Sequence, residues 1–534
     1  MSGTTEPLPE DHIRSIDNGG FSQEKLGHSR WAQWVRETPL TNIDAYLKEW
    51  ELYFDQYAFQ VDRWHRRNAG YHNAIASLAR FYIPSGSRVL EVGSGSGDLL
   101  HALQPESGLG IDISGEMVRH AETKYPRLQF RKMAAEHLDV GQEQFDFIVL
   151  SDLVGFLYDI HAVFERLHKV CHSDTKIVIH WYSNLWHPIL VLAERFRLKY
   201  PQPLLNWTTV EDIQNLLYLA GFDIVHRRSH ILLPKRVPLL GTLLNRYLAH
   251  VPGFRWMCLT NWIVARPADL KPFYSPPRVS VVCPCRNEEG NIEQVVNRLP
   301  SMGAHTELIF VEGHSKDNTL AECRRMAAKA TNKDIKVFVQ QGRGKGDAVR
   351  LGFAKARGDI LMILDADLSV DPEDLRQFYD ALVAGKGEFV NGSRLVYTKD
   401  PQAMRFLNLL GNKFFAFLLS HLLGQAIKDA LCGTKVLRRT DYNRIAKNRK
   451  YFGDFDPFGD FDLLFGAAKQ NLKIVEVPIR YRQRTYGTTN ISRFSHGWLL
   501  LRMCGKAARK LLFTSDMPKD QNVEETAEHE RVSS

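Results

Sequence analysis

Short, mostly apolar runs recur along both halves of the chain, and stretches with helical spacing separate them. Such runs predict strands buried on both faces of a sheet, and their alternation with helices predicts largely parallel sheets. The clearest run is Ile360–Leu364, which has no polar residue. The other predicted strands are Arg88–Val92, Gly108–Ile113, Val279–Cys283, Glu307–Val311 and Ile335–Val339.

Three stretches have helical spacing and unusual composition. The first, Tyr46–Tyr82, is rich in aromatic residues and arginine, and the second, Phe406–Ile427, is rich in Leu and Phe but too polar to span a membrane. The second therefore suits a bilayer interface. The third, Trp498–Phe513, predicts a basic amphipathic helix, which either contacts a membrane or packs on its own domain. Its apolar stripe is Leu500, Met503, Ala507 and Leu511, and its opposite side, called here the basic face, is Arg502, Lys506 and Arg509.

A chain of 534 residues is too long for one core and predicts two domains of ordinary size. Four prolines between Arg266 and Pro277 indicate a stiff linker between them. The predicted limits are an irregular segment 1–45, a first domain 46–266, a linker 267–277, a second domain 278–514 and a disordered acidic tail 515–534.

Composition narrows the class of protein. Hydrophobic residues at 44% and charged residues at 24% describe a globular chain. Seven scattered cysteines without a CxxC pair favour reduced thiols and a cytoplasmic protein. The polar N-terminus is unlike a signal peptide. The net charge of +8 favours phosphate-rich substrates or anionic lipid, since no nucleic-acid-binding motif is present. We therefore expect peripheral attachment to the inner face of a membrane.

The strand Arg88–Val92 runs into a glycine loop, Gly93-Ser-Gly95-Ser-Gly97, and an acid, Asp112, follows at the end of the next strand. Glycines let a backbone approach a ligand at a helix N-terminus, and the later acid suits ribose hydroxyls. Over roughly residues 50–265 the sequence resembles class I S-adenosylmethionine-dependent methyltransferases. The resemblance implies further strands at Phe145–Asp152, Thr175–Trp181 and Gly221–Val225. It also implies cofactor contacts from Glu91, Gly93, Gly95, Gly97, Asp112, Met117 and Glu136.

Two features depart from that family. The acid that relatives often place after the third strand is Ala134 here, with Glu136 two residues later, and Val154–Leu157 replaces the usual acidic-histidine pair. A catalytic domain and a scaffold that has lost its activity both stay open. After the fifth strand, a polar and aromatic cluster either lines an acceptor pocket or is simply packed. Its members are His180, Trp181, Trp186 and His187.

In the second half, Asp365 and Asp367 follow the buried run Ile360–Leu364 directly. Two carboxylates one residue apart suit Mg²⁺ or Mn²⁺, which keeps open positions for waters and a substrate diphosphate. Asp371, Pro372 and acids after them mark a helix start. The pair alone is weak evidence, because a solvated turn has the same composition.

Together with the strands before it, this motif makes residues Arg278 to about Phe494 resemble glycosyltransferase family 2, and within it the polyprenyl-phosphate sugar synthases. The resemblance implies nucleotide-sugar contacts from Pro284, Arg286, Glu288, Glu312, Asp317, Lys345 and Asp365. Lys345 and its glycines would face phosphates, although a lone lysine is more often a solvated one. The usual acid pair is Glu312-Gly-His-Ser here, which leaves the base open.

Later segments also match that family: Asn391–Arg394, Asp429–Lys435 and Gly459–Leu464. By the resemblance, Asp367, Asp462 and Arg484 carry catalysis, Arg482 and Arg484 contact phosphate, and the metal ligands are Asp365 and Asp367.

The sequence thus predicts an α/β protein with two Rossmann-like domains, a class I methyltransferase fold followed by a GT-A nucleotide-sugar glycosyltransferase fold. The expected function is metal-dependent, inverting transfer of a sugar from a GDP-mannose or UDP-glucose type donor to a polyprenyl phosphate or another glycan or lipid. A methyltransferase using S-adenosylmethionine would be fused to it. The alternatives are a non-catalytic methyltransferase scaffold and a non-catalytic nucleotide- or lipid-binding protein. The sequence leaves the oligomeric state open.

Overall fold

The computed structural model describes most of the chain between residues 43 and 512. The described residues are 43–202, 206, 208–235, 237, 239–268, 272–394, 406–429, 432–451, 459, 461–480, 486 and 493–512, without the side chains of 242, 406–410, 450 and 493–496. The predicted acidic tail, Arg482 and Arg484 lie outside them. The predicted domain limits stay predictions.

The first sheet has seven strands in the order β3-β2-β1-β4-β5-β7-β6. All neighbours pair in parallel except β7, which is antiparallel to β5 and to β6. Its strands are β1 Arg88–Val92, β2 Ser107–Asp112, β3 Gln129–Lys132, β4 Phe145–Ser151, β5 Cys171–Tyr182, β6 Phe222–His230 and β7 Thr260–Pro267. Its helices are α1 Ile43–Ala58, α2 Val61–Arg67, α3 Ala69–Tyr82, α4 Asp98–Ala102, α5 Gly115–Lys124, α6 Ile160–Leu167, α7 His187–Arg195, α8 Val210–Leu219 and α9 Leu240–Arg246.

The second sheet also has seven strands, in the order β10-β9-β8-β11-β13-β12-β14, and β13 is antiparallel to both neighbours. Its strands are β8 Arg278–Cys285, β9 His305–Glu312, β10 Asp334–Val339, β11 Ile360–Ile363, β12 Phe389–Ser393, β13 Lys435–Arg438 and β14 Ile474–Pro478. Its helices are α10 Glu289–Arg298, α11 Thr319–Lys329, α12 Lys345–Lys355, α13 Leu375–Val383, α14 Phe406–Leu423, α15 Arg439–Lys447, α16 Phe461–Lys469 and α17 Arg493–Leu511.

The predicted α/β fold with two largely parallel sheets is confirmed. The helical pattern predicted at Tyr46–Tyr82 forms three helices, because the helical backbone breaks after Ala58 and again at Asn68, which ends α2 and precedes α3. The helix start predicted at Asp371 and Pro372 is also confirmed; its first turn, Pro372–Asp374, is a 3-10 turn before α13, and the Asp371 side chain makes no capping hydrogen bond.

The apolar stripe of the third helical stretch is confirmed, because all four of its members in α17 are buried. The basic face is exposed. The helix packs against α14 and α16, so packing on its own domain explains the stripe. Among the described helices, none combines the length and apolarity that crossing a membrane requires.

The two sheets share a buried interface. Lys176 of β5 pairs with Glu388 at 2.6 Å, and both side chains are almost fully buried. Arg228 of β6, also buried, donates to the carbonyl oxygen of Leu422 and, at 3.1 Å, to that of Leu511. These carbonyls end α14 and α17, where the helix dipole favours a cation. The first domain therefore caps two helices of the second.

Candidate functional sites

The glycine loop Gly93–Gly97 joins β1 to α4 in a backbone conformation that other residues rarely adopt. Its three glycines have φ of +74°, +50° and +75°. A Cβ on Gly97 would lie 2.6 Å from the ring of Phe130, and one on Gly93 would lie 2.8 Å from the side chain of Leu153. Glycine is therefore required both for the turn and for close packing.

Asp112 at the end of β2 holds this loop in place. One carboxylate oxygen accepts a hydrogen bond from the backbone N–H of Gly95 at 2.8 Å, and the other accepts one from Ser114 at 2.9 Å. Burial raises the pKa of Asp112 to about 6, against the lowering effect of these two bonds. A carboxylate has about four lone-pair sites, so two remain for a ligand's hydroxyls.

Glu91, on β1 directly before the loop, is the clearest sign of a missing ligand. Its side chain is buried, and its Oε2 atom has no hydrogen-bond partner among the described residues. Burial raises its pKa well above the ordinary range. Buried carboxylate oxygens are normally paired, so this one fits a cationic or N–H group supplied by a ligand.

A cavity of about 930 Å³ connects these residues to the first two helices. Its lining includes the glycine loop, Glu91, Asp112, Met117 and Glu136. Glu136 is buried and accepts a hydrogen bond from the backbone N–H of Tyr158 at 2.9 Å. Seven aromatic side chains, called here the aromatic wall, also line the cavity: Trp50, Tyr53, Phe54, Tyr57, Tyr71, Tyr182 and Tyr200.

Of the cluster predicted after the fifth strand, Trp186 lines this cavity. His180 is instead buried against Trp262, with ring centroids 4.5 Å apart, and Trp181 donates to the carbonyl oxygen of Thr208. Packing is thus the correct alternative for His180 and Trp181. Neither lines the cavity, although His180 lies beside it, with Nε2 2.7 Å from the hydroxyl of Ser151, a cavity residue.

Sequence reasoning missed three polar groups of the cavity. Asp152 accepts a hydrogen bond from the Tyr71 hydroxyl at 2.7 Å, and Lys199 pairs with Glu194 at 2.6 Å. His72 also lines the cavity, and burial together with neighbouring His65 lowers its pKa to about 4, which leaves the imidazole neutral. The aromatic density of Tyr46–Tyr82 was a signal for the wall, but nothing marked these polar residues.

In the second domain, the structure brings Asp365 and Lys345 together across two loops. The Lys345 Nζ lies 2.6 Å from Asp365 Oδ1, at the start of α12 and just beyond the end of β11. Asp367 is buried, and its Oδ1 accepts the backbone N–H of Ser369 at 3.0 Å. A Cβ on Gly433 would lie 2.0 Å from Asp365 Oδ2, so a larger residue there would displace the Asp365 side chain.

The described residues contain no group of three or more His, Cys, Asp or Glu side chains placed to hold a metal. Two carboxylates are nevertheless what a Mg²⁺ or Mn²⁺ ion bound to a substrate diphosphate takes from a protein, since phosphates and waters supply the other ligands. Asp365 and Asp367 fit that role.

The acids predicted near the base and ribose hold the loops after β8 and β9. Glu288 accepts from Asn291 Nδ2 at 2.7 Å, Glu312 accepts from the backbone N–H of Ser315 at 2.5 Å, and Asp317 accepts from that of Thr319 at 3.1 Å. The two loops are joined directly, because the backbone N–H of Asn287 donates to Ser315 Oγ at 3.0 Å and that of Lys316 donates to Asn287 Oδ1 at 2.8 Å.

The remaining predicted contacts differ in exposure. Arg286 is exposed and Pro284 is half-buried. Tyr486 was missed by sequence reasoning: its ring lies 2.8 Å from where a Cβ on Gly290 would stand. The described loops therefore place several predicted residues at the carboxyl edge of β8 and β9, where open α/β sheets bind ligands.

Asp462 lies in the first turn of α16, and Arg449 Nε donates to its carboxylate at 2.7 Å. Its predicted role as an acceptor-side carboxylate stays a prediction, as does that of Arg484, which lies outside the described residues. Asp429 instead has a structural role. It is buried, accepts two hydrogen bonds of 2.7 and 2.9 Å from the Arg394 guanidinium and one of 2.9 Å from the Arg394 backbone N–H, and accepts from Asn412 at 3.0 Å.

Comparison with known proteins agrees with this division into two sites. Residues 280–446 match the family model "Glycosyl transferase family 2". The chain carries a family 2 glycosyltransferase domain. Residues 63–227 match the family model "Methyltransferase domain", so the glycine loop belongs to a methyltransferase domain, and most of the residues that line the cavity lie within the matched range.

Similar proteins include the low-salt glycan biosynthesis hexosyltransferase Agl6 of Haloferax volcanii, 28% identical over 45% of this chain. The chain spans 56% of that protein's length. The dolichyl-phosphate hexose transferase of the same organism is 29% identical over 42% of this chain and 91% of its own length. A solved S-adenosylmethionine-dependent methyltransferase from Mesorhizobium loti aligns with 36% of this chain and 96% of its own, at 18% identity and a TM-score of 0.29.

Proposed function

We propose that the glycosyltransferase domain transfers a sugar from a nucleotide sugar to a polyprenyl phosphate and inverts the anomeric centre. The observation that carries the proposal is the ion pair of Lys345 with Asp365, directly beside Asp367. A cation and two carboxylates at one sheet edge suit a nucleoside diphosphate and its metal. The similarity to a dolichyl-phosphate hexose transferase supports the lipid phosphate as acceptor.

In the proposed reaction, an oxygen of the lipid phosphate forms a bond to the anomeric carbon. The bond from that carbon to the diphosphate breaks at the same time, and the nucleoside diphosphate leaves with the electron pair. Lys345 offsets negative charge on the diphosphate, and Asp365 and Asp367 would hold the divalent cation, which supplies Lewis-acid stabilisation of the leaving group when bound. A lipid phosphate is anionic at neutral pH, so its attack needs no general base.

We further propose that the methyltransferase domain binds S-adenosylmethionine in the 930 Å³ cavity. The unpartnered oxygen of Glu91 fits the ammonium of the amino-acid end, and the spare lone pairs of Asp112 fit the ribose hydroxyls. The bound cofactor supplies an electrophilic methyl group. The chain's own part is to orient the acceptor against the aromatic wall, where neutral His72 is available to take a proton.

Ligand-dependent stabilisation tests both proposals separately. A panel of GDP-mannose, UDP-glucose and UDP-N-acetylglucosamine with Mn²⁺ should raise the melting temperature with one donor, since a ligand at about 100 times its Kd stabilises by roughly 2.7 kcal/mol. Calorimetry should show binding of S-adenosylhomocysteine to the wild type and much weaker binding to Asp112→Ala. If the wild type does not bind it, the methyltransferase domain is a scaffold.

A further inference from the structure

Helix α7, His187–Arg195, has its apolar side outward. Leu185, Ile189, Leu192 and Phe196 follow each other at spacings of three and four residues, which places them on one face. They are 56%, 51%, 53% and 65% exposed. We call this face the outer stripe. A helix on a soluble surface normally buries such a stripe and exposes its polar residues.

One polar residue of α7 points the other way. Glu194 is buried and pairs with Lys199, which lines the methyltransferase cavity. Trp186, Leu190 and Ala193 line the same cavity. The helix is thus one wall of the cavity, and three members of its outer stripe, Leu185, Leu192 and Phe196, do not line it. Ile189 belongs to both the cavity wall and the outer stripe. It lines the cavity and is half exposed, which places it at the cavity's rim.

A second exposed apolar segment borders the same cavity. In residues 237–257, which include α9, most large apolar side chains are exposed: Val237, Leu239, Leu240, Leu243, Tyr247, Val251, Phe254, Trp256 and Met257. Two hydrogen bonds hold this segment to the cavity wall. Trp186 Nε1 donates to the carbonyl oxygen of Met257 at 2.8 Å, and Asn245 donates to that of Leu233, a cavity residue, at 2.8 Å.

Within these two segments, the charged residues other than Glu194 are all basic. Residues 231–258 contain four Lys or Arg and no Asp or Glu. Arg195 and Arg197 are exposed beside the outer stripe, whereas Glu194 is turned inward. The surface also continues to the glycosyltransferase domain, because the carbonyl oxygen of His250 accepts a hydrogen bond from His421 of α14 at 2.8 Å. On α14, Phe414 and Phe417 are exposed as well.

We propose that α7 and the segment 237–257 lie in the interface of an anionic lipid bilayer. The methyltransferase cavity would then open towards that bilayer, so that its methyl acceptor is a molecule anchored there by an apolar chain. Apolar side chains flanked by cations, on helices too short to span, are what an interfacial segment needs. The choice of acceptor rests on the proposed methyltransferase function, whereas the docking surface does not.

A fluorescent label on the outer stripe tests the docking directly. All seven native cysteines are buried, so Leu192→Cys in the full chain can be labelled selectively with the environment-sensitive dye NBD. Leu192 does not line the cavity, and Tyr218→Cys on α8, where Tyr218 is 76% exposed, is the matched control. Vesicles of phosphatidylcholine with phosphatidylglycerol should raise and blue-shift the emission of the Leu192→Cys label and leave the control unchanged.

The glycosyltransferase domain could bind vesicles without the outer stripe. The label on the stripe distinguishes this binding from docking of the stripe itself. A protein that sediments with vesicles while the Leu192→Cys label stays unchanged overturns the proposal. An emission change that requires no vesicles and grows with protein concentration also overturns it, because it would show that a second copy covers the stripe. Calorimetry with S-adenosylhomocysteine on the same labelled protein reports the cofactor site independently, so failure of that site and failure of docking are distinguishable.

Discussion

Replacement of Glu91 by glutamine tests whether the cavity beside the glycine loop is a cofactor site. The carboxylate is buried, and its Oε2 lacks a partner among the described residues. A ligand ammonium against that oxygen would form a charge-assisted hydrogen bond, which contributes about 1.5–3 kcal/mol. Glutamine keeps the size and removes the charge. We therefore expect the Kd for S-adenosylhomocysteine to rise by roughly 10- to 150-fold.

Glu91→Gln should weaken ligand binding but stabilise the ligand-free protein. Burial raises the pKa of Glu91 above its ordinary value of 4.5, so the folded state binds more protons than the unfolded state above that pH. The wild type therefore loses stability as pH rises through this range. Glutamine has no such titration, and the advantage of Glu91→Gln in free energy of unfolding should grow from pH 5 to pH 8.

Isothermal calorimetry and chemical denaturation at both pH values measure the two effects. Glu106→Gln is the matched control, because Glu106 is exposed and lies directly before β2. It should change neither the Kd for S-adenosylhomocysteine nor the pH dependence of the free energy of unfolding. Equal affinity of Glu91→Gln and wild type for S-adenosylhomocysteine would refute the assignment of the unpartnered oxygen to a ligand cation. A stability difference that does not depend on pH would refute the account of the buried carboxyl.

Three further predictions concern the glycosyltransferase domain and its interface. With polyprenyl phosphate as acceptor, Asp462→Asn should retain substantial activity in a radiolabel transfer assay while Arg484→Ala loses most of it; a loss of about 10²–10⁴-fold in Asp462→Asn, with little effect of Arg484→Ala, would show that the attacking oxygen needs a general base and would contradict attack by a lipid phosphate. Replacement of the whole basic face by Gln should reduce sedimentation with anionic vesicles at low salt, and unchanged sedimentation would leave α17 a packing element. Lys176→Met should lower the free energy of unfolding by less than the roughly 3–5 kcal/mol of an isolated buried ion pair, because Arg438 stays 3.8 Å from Glu388, and Lys176→Met/Glu388→Gln should recover most of the loss in urea denaturation.

The sequence predicted those parts of the fold that depend on local pattern. Apolar runs located the strands to within a few residues, as for Ile360–Leu364 against the observed Ile360–Ile363. Glycine spacing located the loop at Gly93–Gly97, because positive φ and close packing both demand glycine there. β5 extends further than predicted, from Cys171 to Tyr182, because Cys171 already pairs with Phe145 of β4, ahead of a register shift that places Lys176 opposite Phe147.

What the sequence could not predict depends on contacts between distant residues. Arg228 is one basic residue among many in the sequence, and its role appears only when α14 and α17 end beside it. The partner of Asp462, Arg449, likewise belongs to another segment. The orientation of α7 was also hidden, because an apolar stripe is normally interpreted as a buried one and only the structure shows Leu192 and Phe196 facing outward.

The most direct test of the central claim is transfer of a radiolabelled sugar from GDP-mannose or UDP-glucose to polyprenyl phosphate, measured as label in the organic phase with Mg²⁺ or Mn²⁺ present. The account predicts transfer from one donor by the wild type, and no transfer in EDTA or by Asp367→Asn at an unchanged melting temperature. Undiminished transfer in EDTA or by Asp367→Asn would contradict the assignment of the metal to Asp365 and Asp367. Absence of transfer from either donor would contradict the proposed reaction.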